Sequence, residues 1–423
     1  MGSGIFRPIS SGADRGARWC AVALGFSLPI SVALDSILLG LVLVGFALGG
    51  AYAEKWRAIR DNPVVLAALA LYAMLLIGCL YGEAATADRL SFLSKYSDLL
   101  GIPLLIHFFR DAATRRQGIT ALAASLALVL LWSTLFKLGV IPQLPFTHGN
   151  EMFPVVFKLK LTHNLLMAFA AFLFTYLALA AGDRRLQLTW AALAVLAVIN
   201  VTLMVQGATG YLVMALLALY VGYGWRGWRG IAAAAAVGAV LFGTLAVVPG
   251  PFQQRMQQMV REASQLRPGH APPEPSQITP GNVFIESSLG RRLEFYRGSL
   301  AIIGDHPVIG VGTGGFPKAY VEKTKETSPY EVRNPHNEYL LMMSQTGLIG
   351  LVLLLHLFWR QWRLAPRLAT PLETHLARGL VLTIAAGCLF NSFLLDHTEG
   401  LLFAWMTGLL YAGLQSREIG NRE

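Results

Sequence analysis

Long apolar runs alternate along this chain with short polar turns, and the runs are too long for strands. Crossing about 30 Å of hydrocarbon takes roughly 20 apolar residues in a helix, with shorter spans tolerated. The pattern predicts about twelve such helices, at 19–34, 36–53, 64–82, 96–109, 118–140, 161–181, 187–206, 208–225, 229–249, 337–359, 375–395 and 400–416. Only Asp35 divides the first pair, and the short fourth run contains Pro103. From 250 to 336 the chain turns polar. That excursion opens with an amphipathic helix, with Phe252, Met256, Met259, Val260 and Ala263 on one face and Arg255, Gln258, Arg261 and Glu262 elsewhere, as expected of a segment lying in the membrane interface. The Pro-rich stretch 267–281 reads as a lid or linker. A second helix, about 288–303, carries Arg291, Arg292 and Arg297. Three regions follow: an N-terminal transmembrane bundle (1–249), a polar loop (250–336), and C-terminal transmembrane helices with a short tail (337–423).

Composition makes lipid the solvent. Charged residues are 14% of the 423, against about 25% in an ordinary soluble protein, while 55% are hydrophobic. Mean hydropathy is +0.53. So few charges cannot cover the surface of a soluble fold this large. The net charge, 34 − 24 = +10, would raise the question of nucleic acid in a soluble protein. Here the basic residues gather in alternate turns. Arg15, Arg18, Arg57, Arg60, Arg110, Arg115, Arg184, Arg226, Arg363 and Arg367 fall on one side of an even count of spans; only Arg89, Lys95, Lys158 and Lys160 occupy the short turns opposite. The positive-inside rule then puts the N-terminus in the cytoplasm and the 250–336 loop outside. Cys20, Cys79 and Cys388 are far apart in apolar stretches and read as three buried thiols. The first apolar run has no small-residue cleavage site followed by polar sequence, so it reads as a retained span.

Candidate chemistry gathers on the outer side. Gly310, Gly312 and Gly315 satisfy a G-x-G-x-x-G spacing, but no strand precedes them, so they read as a turn folding the loop back onto the membrane rather than as a nucleotide loop. No ligand spacing for a metal is present. Cations do converge. Arg292 and Tyr296 share a helix face at i, i+4, flanked by Arg291 and Arg297; Lys158, Lys160 and His163 enter the sixth span from the same side, and Arg89 and Lys95 the fourth. Arginine suits bidentate recognition of phosphate, so the set fits an anionic lipid headgroup such as a lipid diphosphate. The same charges also fit solvated loop residues or generic lipid anchors. His336, in Asn334-Pro335-His336-Asn337-Glu338-Tyr339, reads either as an interfacial residue or as a base able to take a hydroxyl proton near neutral pH. Asp396, His397 and Glu399 fall in the last outside turn, where a carboxylate can orient His336 or bind acceptor hydroxyls. Lys137 and Arg378 lie near span ends and snorkel.

These residues also carry a family pattern. Gly290-Arg291-Arg292-Leu293-Glu294-Phe295-Tyr296, the run Ile303 to Phe316, and Pro335-His336-Asn337-Glu338-Tyr339-Leu340 resemble, in that order, the signature of the O-antigen ligase and polymerase superfamily. Thr162-His163-Asn164 and Asn391-Ser392-Phe393 to Asp396 and Gly400 look similar as well. The resemblance implies an all-α polytopic glycosyltransferase of GT-C type, metal-independent, inverting and without a cofactor. It implies transfer of O-antigen from undecaprenyl diphosphate to lipid A–core on the periplasmic face of a Gram-negative inner membrane. His336 would be the essential histidine and Arg292 the diphosphate arginine, with Arg291, Arg297, Lys158, Lys160, His163, Arg89, Lys95, Asn337 and Asp396 as substrate contacts. One element departs from the pattern: Gln206-Gly207-Ala208-Thr209-Gly210 lacks the arginine many members carry there, leaving Lys158 or Lys160 to replace it. Alternatives within the superfamily are an O-antigen polymerase and a protein O-oligosaccharyltransferase. A polytopic lipid-linked glycan transporter is the alternative from another class, although no internal repeat is visible.

Overall fold

The computed structural model describes residues 6–264 apart from 143, 146, 151–152 and 249, together with 288–325 and 332–415. Helices fill these stretches: α1 (Phe6–Ser27), α2 (Val32–Leu48), α3 (Tyr52–Arg60), α4 (Pro63–Tyr81), α5 (Thr86–Lys95), α6 (Gly101–Phe108), α7 (Ala112–Lys137), α8 (Lys160–Ala180), α9 (Arg184–Ile199), α10 (Ala208–Val247), α11 (Pro251–Ser264), α12 (Ser288–Asp305), α13 (Phe316–Thr324), α14 (Glu338–Leu364), α15 (Pro371–Gly387) and α16 (His397–Tyr411). Among the described residues there is no strand. Polar side chains set the starts. Asn62, Asp111, Asp183, Asn337 and Thr370 each accept a first-turn N–H, and Pro63 and Pro371 follow their caps where no N–H is needed.

Among the described residues six helices are long and apolar enough to cross a membrane, and a seventh crossing arises if the bent pair α2–α3 counts as one. This is a membrane protein, all-helical among the described residues, with six to seven crossings by length and composition against about twelve expected. Each predicted run contains helix, yet α2, α6, α15 and α16 have 17, 8, 17 and 15 residues, and α1 includes Asp14, Arg15 and Arg18. Apolar turn residues lengthen a run in the sequence without lengthening the helix; Tyr96–Leu100, for instance, forms a 3₁₀ turn ahead of α6.

The 40 residues of α10 err the other way, because they are not one rod. Arg226 and Gly227 leave helical geometry, Gly227 at φ 56°. The rings of Tyr211 and Phe242 then lie 5.6 Å apart, whereas 31 residues of straight helix would separate them by about 46 Å. The run doubles back where the sequence predicts a turn, and Gly222 and Gly230 face each other with no room for a Cβ.

Burial orders the layers. The best apolar window of α8 is 78% buried inside the protein and that of α10 only 6%, so α8 is central and α10 meets lipid. From Thr398 to its end α16 is buried too. The connecting turns segregate to two ends. At one, Asn62 donates to the Tyr411 carbonyl, Arg367 to the Gln415 carbonyl, and Arg115 pairs with Glu373 at 2.8 Å. A cavity of about 770 Å³ opens there among Arg57, Arg110 and Arg367. At the other end lie every candidate site residue and the α11–α13 segment. Phe252 of α11 packs on Tyr211 and Phe242 at 5.3 and 5.7 Å, as its amphipathic pattern predicts. The Pro-rich stretch 267–281 falls outside the described residues.

The glycine run 310–315 is indeed a re-entrant turn. Helix α14 breaks at Gly347, φ 64°. The Ser344 and Gln345 carbonyls, released from their own helix, accept the Val311 and Gly312 N–H groups at 2.9 and 2.8 Å, while Leu348 N–H turns to the Pro307 carbonyl at 2.9 Å. Thr313 adds hydrogen bonds to the Leu75 and Gly78 carbonyls of α4. A side chain at Gly310 or Gly312 would collide with those backbones.

Candidate functional site

The segment entering α14 turns sharply. His336 adopts φ 52°, a left-handed conformation that His, Asn and Asp tolerate better than most residues. Its N–H donates to Asn334 Oδ1 at 2.9 Å. The imidazole stays solvent-accessible. Its Nδ1 lies 3.3 Å from Asn391 Oδ1, and its ring is 6.1 Å from that of Phe295. Desolvation by these neighbours and the positive charges of Arg292 and Arg291 push its pKa below the ordinary 6.5, against a smaller opposing effect of Asn391. The imidazole is therefore neutral at pH 7.

The α15–α16 turn is what brings histidine and arginine together. The Leu389 carbonyl accepts two donors, Asn337 Nδ2 and Tyr296 OH, each at 3.0 Å. The first neighbours His336; the second stands one helical turn beyond Arg292. Glu338 secures the same turn. Its N–H donates to the Cys388 carbonyl at 2.9 Å, and its buried carboxylate accepts Tyr96 OH at 2.6 Å and Leu394 N–H at 3.1 Å. Further along, Asp396 retains solvent contact although protein crowds it; desolvation raises its pKa, with Lys95 opposing.

Beneath this rim lies a buried charged layer that sequence reasoning did not assemble. Asp35 (0% exposed), Asp98 (5%), Lys158 (7%) and Glu399 (2%) meet below the start of α16. Lys158 Nζ is 3.8 Å from Asp35 Oδ2 and 3.1 Å from the Thr398 hydroxyl. Desolvation lowers the Lys158 pKa, while Asp35 and Glu399 hold it up. Ser27 donates to Asp35, and His397 Nδ1 lies 3.3 Å from Asp98. The available signal was a lone carboxylate in an apolar run, which Asp35 and Asp98 both supply.

The expected substrate contacts thus divide. Arg291, Arg297 and Lys95 are exposed at the rim, Arg292 is half-buried and close enough to bear on His336, and Asp396 is accessible. Others are spent inside the protein. Arg89 donates to the Ala84 and Cys79 carbonyls at 2.7 and 2.8 Å, closing off the end of α4. His163 is 1% exposed and 3.2 Å from Asn200 Oδ1, as a core histidine. Asn337 caps Leu340 N–H with its oxygen and meets Leu389 with its nitrogen. Lys158 belongs to the buried layer, and Lys160 lies over the Phe153 ring at 3.3 Å. The replacement expected from Lys158 for the absent arginine conflicts with this: its ammonium is already engaged by Asp35. Among the described residues no group of three or more His, Cys, Asp or Glu is placed to hold a metal ion.

Residues 191–355 match the family described as O-antigen ligase, a stretch running from α9 into α14 and including Arg292 and His336. Asn391, Asp396 and the buried layer fall outside it. No curated protein matches the chain.

Proposed function

We propose, on the match of residues 191–355 to the O-antigen ligase family, that the chain transfers O-antigen polysaccharide from undecaprenyl diphosphate to lipid A–core. The reaction is metal-independent and inverting. A hydroxyl of the acceptor sugar attacks the anomeric carbon, the bond from that carbon to the diphosphate oxygen breaks, and His336 takes the hydroxyl proton. Arg292 neutralises charge on the departing diphosphate, with Arg291 and Arg297 adding to the field. In this reading the chain crosses a Gram-negative inner membrane about twelve times in a GT-C arrangement, with this rim on the periplasmic side and 250–336 as its external loop.

The observation that carries the reading is a solvent-accessible imidazole, 3.3 Å from Asn391 and within electrostatic reach of the Arg292 guanidinium, which pushes its pKa down. A base near neutral pH must be unprotonated to accept a proton, and the neighbouring cation keeps it so. A lipid diphosphate is already a good leaving group, so charge stabilisation matters more than protonation. The test is purified protein with lipid-linked glycan and lipid A–core, without metal or nucleotide. A ladder of high-mass lipopolysaccharide supports ligation. Longer lipid-linked chains formed without acceptor replace the proposal with polymerisation, and transport without bond formation replaces it with a carrier.

A further inference from the structure

We propose that Tyr296 is a positioning residue: by sharing the Leu389 carbonyl with Asn337, it fixes the spacing between the Arg292 helix and the His336 turn. The inference rests on the catalytic reading of those two residues. Its geometry is independent of that reading.

Three elements meet at one main-chain oxygen. Tyr296 reaches it from α12 and Asn337 from the first cap of α14, each at 3.0 Å, and Leu389 itself follows α15. Arg292 and Tyr296 are four residues apart and share a face of α12. A tether at Tyr296 therefore governs how far the Arg292 side chain stands from His336. Apolar contacts alone leave that distance softer. Phe295 is buried against Tyr320, ring centroids 6.2 Å apart, and Ile302 is buried beside it, but such packing permits sliding where a hydrogen bond sets register. The Asn337 half of the tether is rigid, since its oxygen already caps α14. The tyrosine half is the adjustable one, its hydroxyl linking α12 to the α15–α16 turn. Among the described residues the charged groups bearing on His336 are Arg292 and Arg291 of α12; the facing turn supplies the neutral Asn391. A change in the α12 spacing must then alter the electrostatics of His336 with the sign of a receding cation.

The test compares wild type, Tyr296→Phe, Arg292→Gln and the double variant in nanodiscs. The first readout is carbethoxylation of His336 against pH, followed by peptide mass spectrometry, which reports the neutral fraction without any substrate. Arg292→Gln should move the midpoint to higher pH. Tyr296→Phe should move it part of the way in the same direction, and the double variant should match Arg292→Gln alone. Transfer should fall about 2- to 10-fold in kcat for Tyr296→Phe, the range expected of one neutral hydrogen bond, with acceptor KM unchanged. An unmoved midpoint in Tyr296→Phe, or shifts that add in the double variant, overturns the proposal. Shifted midpoints in the variants, together with a wild-type protein that transfers nothing, would uphold the positioning and defeat the catalytic reading.

Discussion

Lys95 and Lys158 stand at the same end of the bundle, one and three residues before a predicted apolar run, and nothing local in the sequence separates them. In the fold one is exposed beside Asp396, while the other is 7% exposed between Asp35 and Thr398. The contrast holds for the two layers they represent. At the rim, His336, Arg291 and Asp396 keep solvent contact and can meet a ligand. One layer down, Lys158 lies 3.8 Å from Asp35 and His397 3.3 Å from Asp98, the pairing that removal from water favours. A charge buried with its partner serves the frame, and a charge left in water is free for chemistry.

Substitutions can break or sharpen this division. Replacing His336 with asparagine keeps a side chain that tolerates φ 52°, so folding should persist. Transfer should drop by at least about 100-fold, read in the lipopolysaccharide assay, and unaltered ligation would remove the base. Arg292→Ala should cost about 10²–10³ in kcat, the scale of one lost charge stabiliser. For Arg292→Gln the pH dependence is also informative. The histidine is neutral above its depressed pKa, so wild-type kcat/KM should fall only as pH drops through a value below 6.5; removing the cation raises that pKa and carries the acid limb to higher pH.

Buried-layer variants should behave differently, losing stability before rate. Asp35→Ala strands Lys158 and should cost about 3–5 kcal/mol in unfolding, whereas Asp35→Leu with Lys158→Met should recover most of it. Equal losses in single and double variants would dissolve the pairing. Glu338→Ala removes two hydrogen bonds to a buried carboxylate, worth about 1.5–3 kcal/mol each, and should loosen Tyr96 and the Leu394 turn together; Glu338→Gln, which keeps an acceptor, should lose less on the same thermal assay. The smallest effect belongs to Lys95→Ala. It removes the charge that opposes the raised Asp396 pKa, so that carboxyl should titrate higher still, with little change in thermal stability.

Much of the frame was legible in advance because lipid imposes a simple rule on composition and run length. The turn at 226–228, the re-entrant glycines and the amphipathic α11 all followed from spacing. Helix length did not, since Tyr96 to Leu100 and the residues around Cys388 are as apolar as a helix and yet form turns. At the site, Arg292 and His336 were legible because both belong to a motif. The inward positions of Lys158, His163 and Arg89 were not legible for one physical reason: whether a cation faces water depends on partners distant in the chain, such as Asp35, Asn200 and the end of α4. Asn391, Tyr96 and Asp98 matter only through contacts across the fold.

The Gly347 break has a mechanical side. By exchanging intrahelical bonds for bonds to Pro307, Val311 and Gly312, the membrane helix and the 288–325 segment are sewn along one seam. The arms on either side of that seam, bearing Arg292 and Tyr320, are thus no pendant lobe hinged in water. Any rearrangement of those arms must carry the first turns of a membrane-spanning helix with it, or unpick the stitches.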